Sequence, residues 1–394
     1  MDTTEEDVVV KAKTKRILAF DLIRGYFLLV IMIDHIELYP NGWDFFTGKG
    51  RLWVSAAEGF FFMSGLLIGL IYKRRLHLGM KFIFKKMWQR ALELYVAGVG
   101  LTFVFLSWVE FTHHAPIKDT LPIPFPWHHY IKEALLTRFT YGWADFLVHF
   151  AVLMLIAPFV FYLISKGKWW LALAGMIVAW AFRGEHFTLA WQLIFNGGII
   201  IGFYWNEIVS RFRRLSAERR RLIKRVFATL AAATFIVSYA SVYILSLLNY
   251  FYGSLTPWLR HVTFTWNDYN SDIWVFADKW KVGWLRILLF LIWFPVFYWI
   301  LHKYEKQIGR ASRGLLELLG RNSLFVYTIH AFIVFILKMY VIPPKTNFIL
   351  NFLITGSALV TVVLATIVYK RLEAWLGTIG YSKLKLTISQ VFSR

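Results

Sequence analysis

The chain has 394 residues, 58% of them hydrophobic, a formal net charge of +21 and a mean hydropathy of +0.54. This excludes an ordinary soluble domain, and apolar runs that are continuous rather than alternating exclude a β-barrel. The Lys and Arg excess lies between the apolar runs, where it sets membrane orientation and does not mark a nucleic-acid partner; the lack of any cysteine excludes disulfides and thiolate chemistry.

Residues 1–16 are acidic and then basic, with no signal-peptide core, so the first apolar segment is expected to stay as a helix behind a cytoplasmic N-terminal segment. Ten candidate spans follow, at 17–38, 52–72, 87–108, 143–164, 169–184, 189–206, 226–248, 282–301, 317–341 and 347–369. With the N-terminus inside, thirty of the forty-four Lys and Arg fall in the inner segments and ten in the outer ones. That bias predicts an all-α polytopic protein, multi-pass in the plasma (inner) membrane, with about ten transmembrane helices and both termini cytoplasmic. Residues 17–369 form one transmembrane unit, and 370–394 a cytoplasmic tail.

Two outer loops are expected to be long. Residues 109–142 carry prolines and clustered histidines, and 249–281 are rich in Trp, Tyr, Asn and Asp. Aromatic rings among amides and carboxylates suit sugar faces and hydroxyls, although Trp and Tyr also gather at any membrane interface. No internal repeat with matching broken helices is visible, which weighs against a secondary transporter.

The first span reads RILAFDLIRGYFLLVIMIDHIEL and holds Asp21, Arg24, Asp34 and His35. Ionisable groups at membrane depth cost about 2.5–3.5 kcal/mol each on the insertion scale, so an anchor would not carry four. Arg24 and His35 are eleven residues apart, hence on one face and about 16 Å apart along the axis. Asp21, three residues before Arg24, can pair with it. His35 can take a proton from a hydroxyl. Asp34 faces about 100° away and drops out. The second span places Glu58 near the depth of His35, where a carboxylate could orient the imidazole. Ser64 is read as a packing hydroxyl that could also act as a nucleophile. Asp145 and His149, Gln192 and Asn196, Arg286, and His330 put further polar groups in the outer halves of other spans, predicting a hydrated cavity open outward. A metal held by His35, Glu58, Asp145 and His149 is not expected, since they lack a close-spaced ligand signature.

The order Asp21, Arg24-x10-His35, the Ser-Ala-Ala-Glu to Ser-Gly stretch at 55–65, LAWQLIFNGGIIIG at 189–202 and LLGRNSLFVYTIH at 318–330 resembles the OpgC-type membrane acyltransferases. These belong with the acyltransferase-three and heparan-glucosaminide acetyltransferase group. The resemblance implies transfer of an acyl group, succinyl or acetyl, from cytoplasmic acyl-CoA (succinyl-CoA or acetyl-CoA) to a hydroxyl of a cell-envelope polysaccharide or glycolipid on the outer side. It implies His35 as base, Glu58 as its partner, Arg24 as a donor-side cation, and Ser64 and Gly65 as the Ser-Gly element. Leu66 departs from the Phe common in related enzymes. No tightly bound cofactor is implied. The basic inner segments 73–86 and 211–225 would attract an anionic donor, and Arg286 could hold a succinyl carboxylate. The alternative is a transporter or exporter of a glycan or small anion, with the buried His and carboxylates as a proton relay.

Overall fold

The computed structural model describes residues 17–112, 127–341 and 347–378. The N-terminal segment, the proline-rich part of the 109–142 stretch and residues 379–394 of the tail lie outside the described residues. Within them the chain is helical and has no strand. The helices are α1 (Leu18–Ile36), α2 (Asp44–Thr47), α3 (Ala56–Arg74), α4 (Met80–Thr112), α5 (Trp127–Leu135), α6 (Asp145–Ser165), α7 (Trp169–Ala181), α8 (Phe187–Phe203), α9 (Trp205–Arg214), α10 (Ala217–Tyr250), α11 (Pro257–Phe276), α12 (Trp284–Lys303), α13 (Glu305–Ala311), α14 (Leu315–Arg321), α15 (Ser323–Tyr340) and α16 (Phe348–Thr378).

Among the described residues seven helices, α3, α4, α6, α10, α12, α15 and α16, are long and apolar enough to cross a bilayer. The bent pair α8–α9 makes an eighth if taken as one span. Two of the ten expected spans stand apart from these: α1, which carries three charged side chains in 19 residues, and α7, which has only 13. Burial sorts the layers. The apolar windows of α3 and α6 are 61% buried, against 28% for α10 and 22% for α12 and α16, so the first two are central and the last three peripheral.

Small residues let the central helices approach closely. Gly65 and Gly69 of α3 lie against the carbonyls of Phe195 and Ile199, while Gly198 and Gly202 of α8 lie against those of Phe62 and Leu66. A Cβ at any of the four would collide with that backbone. Gly25 of α1 meets the Leu316 carbonyl in the same way, and Gly320 of α14 meets that of Asp21.

Several expected boundaries are corrected. The span at 317–341 is broken at Asn322 (φ −110°, ψ 31°), because α14 packs tightly across α1 before the chain bends into α15. The span at 189–206 bends by 64° at Tyr204 into the basic helix α9. The 249–281 stretch is not an irregular loop: α11 occupies most of it, started by the Thr256 hydroxyl accepting from the Leu259 N–H and by Pro257 in the first turn. Helices α4 and α10 begin earlier than expected, in basic sequence, and α16 continues past 369 to Thr378.

Candidate active site

His35 lies in the last turn of α1, where α15 runs alongside. Its Nδ1 is 3.0 Å from Nε2 of His330, and the rings are tilted by 31° with centroids 5.1 Å apart. His330, only 1% exposed, places its own Nδ1 2.9 Å from the backbone carbonyl of Tyr327. This chain fixes the tautomers of two neutral rings. A carbonyl only accepts, so Nδ1 of His330 carries a proton and its Nε2 accepts. His35 must then donate from Nδ1, which leaves the lone pair of a base on its Nε2. The indole of Trp143 flanks His35, with ring centroids 6.4 Å apart, and the Lys338 ammonium sits 4.6 Å from that indole while pairing with Glu37 at 2.7 Å.

A cavity of about 470 Å³ lies between α3, α4, α6 and α15, on the side of the molecule where α1 begins. Arg75, Lys86 and Arg90 stand at its basic end, and Arg24, Ser64, Ser323 and Tyr327 line it at depth. The Arg24 guanidinium donates to the Ser323 hydroxyl, tying α1 to the start of α15. Asp21 accepts from Arg321 Nε at 3.5 Å. The Ser64 hydroxyl donates back to the Phe60 carbonyl at 2.8 Å, as serines in apolar helices do. Tyr327 closes the cavity: its ring stacks on Phe146 at 4.6 Å and its hydroxyl donates to the Trp143 carbonyl at 3.1 Å. Three residues separate Tyr327 from His330, about 4.5 Å of helical rise. Neither histidine lines the cavity.

Glu58 is not the partner of His35. Its Oε1 accepts from Arg286 Nη1 at 2.6 Å, and its Oε2 accepts from both the N–H and the hydroxyl of Ser55 at 2.7 Å. Both side chains of the Glu58–Arg286 pair are fully buried. Arg286 also donates to the carbonyls of Ala277 at 2.8 Å and Leu52 at 3.3 Å. Its three nitrogens are thus committed, which removes the role of holding a substrate carboxylate. The pair joins the start of α3 to the end of α11 and to α12. It is a structural clamp.

The remaining polar groups separate as well. Asp145 accepts from the Phe146 N–H at 2.6 Å at the head of α6, and His149 pairs with the Thr188 hydroxyl at 2.8 Å beside the Phe187 ring. Gln192 donates to the Met176 carbonyl at 2.7 Å and accepts from Asn196 at 3.3 Å, which joins α7 to α8. The His149 and Gln192 contacts tie neighbouring helices and Asp145 bonds within its own, and none of them forms one outer cavity with His35. Asp34 faces the other way, its carboxylate against Gly50. Among the described residues no three His, Asp or Glu side chains gather as a metal site.

Sequence reasoning missed Tyr327, which supplies both the carbonyl and the closing ring. Its position three residues before His330, where a helical side chain can reach back, was the available signal. The Ser-x-x-Glu pattern at 55–58 is likewise a capping-box signature that accounts for Glu58 locally.

No curated protein and no solved structure matches this chain significantly. A family model described as "OpgC protein" matches residues 16–374, a range that contains the histidine pair, the basic cavity and all the helices around them. The chain belongs to the OpgC family, and that membership points to a membrane protein that modifies periplasmic glucans.

Proposed function

We propose that this protein is an integral-membrane O-acyltransferase that moves a succinyl or acetyl group from cytoplasmic acyl-CoA to a glucan hydroxyl on the outer side. The observation that carries the reading is the His35–His330–Tyr327 chain, which leaves a basic nitrogen on His35 at the far end of α1 from the cavity. The anionic nucleotide end of the donor would rest at Arg75, Lys86 and Arg90, and its thioester arm would extend past Arg24 and Ser323 and, once the Tyr327 ring swings aside, on to His35. Nε2 of His35 takes the proton of the acceptor hydroxyl, whose oxygen attacks the thioester carbonyl. The C–S bond breaks as the ester bond forms, and the departing thiolate takes the proton back from the imidazolium. His330 is a positioning residue, holding the His35 ring and accepting its Nδ1–H throughout.

The test uses the purified full chain with acyl-CoA and glucan, following release of free CoA thiol. His35→Ala should lower kcat by about 10²–10⁴-fold, the usual contribution of a general base. His330→Gln should give a smaller loss, since the base remains but its orientation is relaxed. Full turnover in His35→Ala would defeat the mechanism. An exporter using the same histidines as a proton relay would move glycan with no thiol released, so the same assay separates the two.

A further inference from the structure

At the end of the molecule where α1 finishes, a second cavity of about 400 Å³ opens between α10, α11 and the segment leading into α3. Arg51, Trp53, Asn249, Asn267, Asn270 and Trp274 line it, beside aliphatic and serine side chains of α10. Asn249 and Asn267 exchange amide hydrogen bonds at 3.0 and 2.7 Å, which holds their side chains as a fixed polar wall. Two groups in the lining lack a partner among the described residues. One is the indole N–H of Trp53, a residue only 6% exposed, and the other is the side-chain carbonyl of Asn270. Leaving such buried groups unpaired costs on the order of a hydrogen bond each, so a ligand that supplies both an acceptor and a donor gains from binding here.

We infer that this cavity is a subsite for a neutral sugar ring of the glucan acceptor, an inference that rests on the acyltransferase reading above. A sugar hydroxyl both donates and accepts. One can accept from the Trp53 N–H while another donates to the Asn270 carbonyl, and the Trp274 ring offers an apolar face. The cavity lies at the same end of α1 as the base but off its other face: Arg51 on the rim directly follows Gly50, which packs against the Asp34 side chain, turned about 100° from His35. A sugar ring held here is thus not the one acylated; it anchors a chain whose further rings bend round the end of α1 to the base.

Calorimetric titration of the full chain with a short glucose oligosaccharide tests this, run beside the thiol-release assay with the same oligosaccharide. Trp53→Phe keeps the ring and deletes only the N–H, and should weaken binding about three- to tenfold, the value of one neutral hydrogen bond. Asn270→Ala and Trp274→Ala should weaken it at least as much, with unchanged melting temperatures showing that the fold is kept. Unaltered affinity in all three variants of an acyl-transferring protein would overturn the subsite and leave the function standing. Weakened binding with no thiol released by the wild type would support the subsite and overturn the transferase. An oligosaccharide that fails to bind the wild type would overturn the subsite outright.

Discussion

Glu58 and Arg286 meet in the interior with neither side chain exposed to solvent, and their partners are all protein atoms. Removing one member of such a pair strands a buried charge, at a cost of about 3–5 kcal/mol. Glu58→Ala and Arg286→Ala should therefore lower the melting temperature of the detergent-solubilised protein sharply. Combining Glu58→Leu with Arg286→Met should recover part of the loss, because no charge is left unpaired. The recovery stays incomplete, since the Ala277 and Leu52 carbonyls lose their donor. A double variant no more stable than the singles would show that the carbonyl contacts, and not the charge pair, dominate the clamp. At this scale the sequence located the ionisable groups and misjudged their partners. Glu58 and Arg286 are 228 residues apart, and His35 and His330 are 295 apart. Helical periodicity says which face a side chain occupies, not which helix will pack on it. Where the partner was local, as with Ser55 for Glu58, the pattern was readable.

Helices α3 and α8 owe their contact to paired glycines, Gly65 with Gly69 and Gly198 with Gly202, each facing a carbonyl of the other helix. In a bilayer, where burial of apolar surface gives no advantage over lipid, that close approach supplies dispersion contacts that bulkier residues would forfeit. Gly65→Val should force the helices apart. Overpacking on this scale costs about 1–3 kcal/mol or more, read as a lower thermal midpoint. Gly197→Ala, next to the same interface but with open space around it, should leave the midpoint unchanged. Equal effects from the two would remove the glycine pairing as the cause. Hydropathy found the long helices because length and apolarity are properties of a single segment. It missed the break at Asn322, which follows from α14 packing on Gly25 and Asp21 of α1, a contact no local window contains. It also read α11 as loop, although Thr256-Pro257 is a helix-start signal that polar composition overshadowed.

Taken as a whole, the molecule has basic helix ends on one side, where α9 meets α10, and polar aromatic surface on the other, where α10 meets α11. The absence of native cysteine makes this polarity open to a direct test. In intact cells, a membrane-impermeant maleimide should label Ser254→Cys and spare Ala217→Cys until the membrane is permeabilised, as the positive-inside bias requires. The reverse pattern would invert the orientation and, with it, the assignment of donor and acceptor sides. The stacked rings of Tyr327 and Phe146 bear on a different economy of the cell. A membrane that stores energy as a proton gradient tolerates no continuous water column. A catalyst reached from both faces would short that gradient if its two entrances joined. Here the stacked rings close the cavity about one helical turn short of His330, so no water column runs from that cavity to the histidine pair while the two rings stay together.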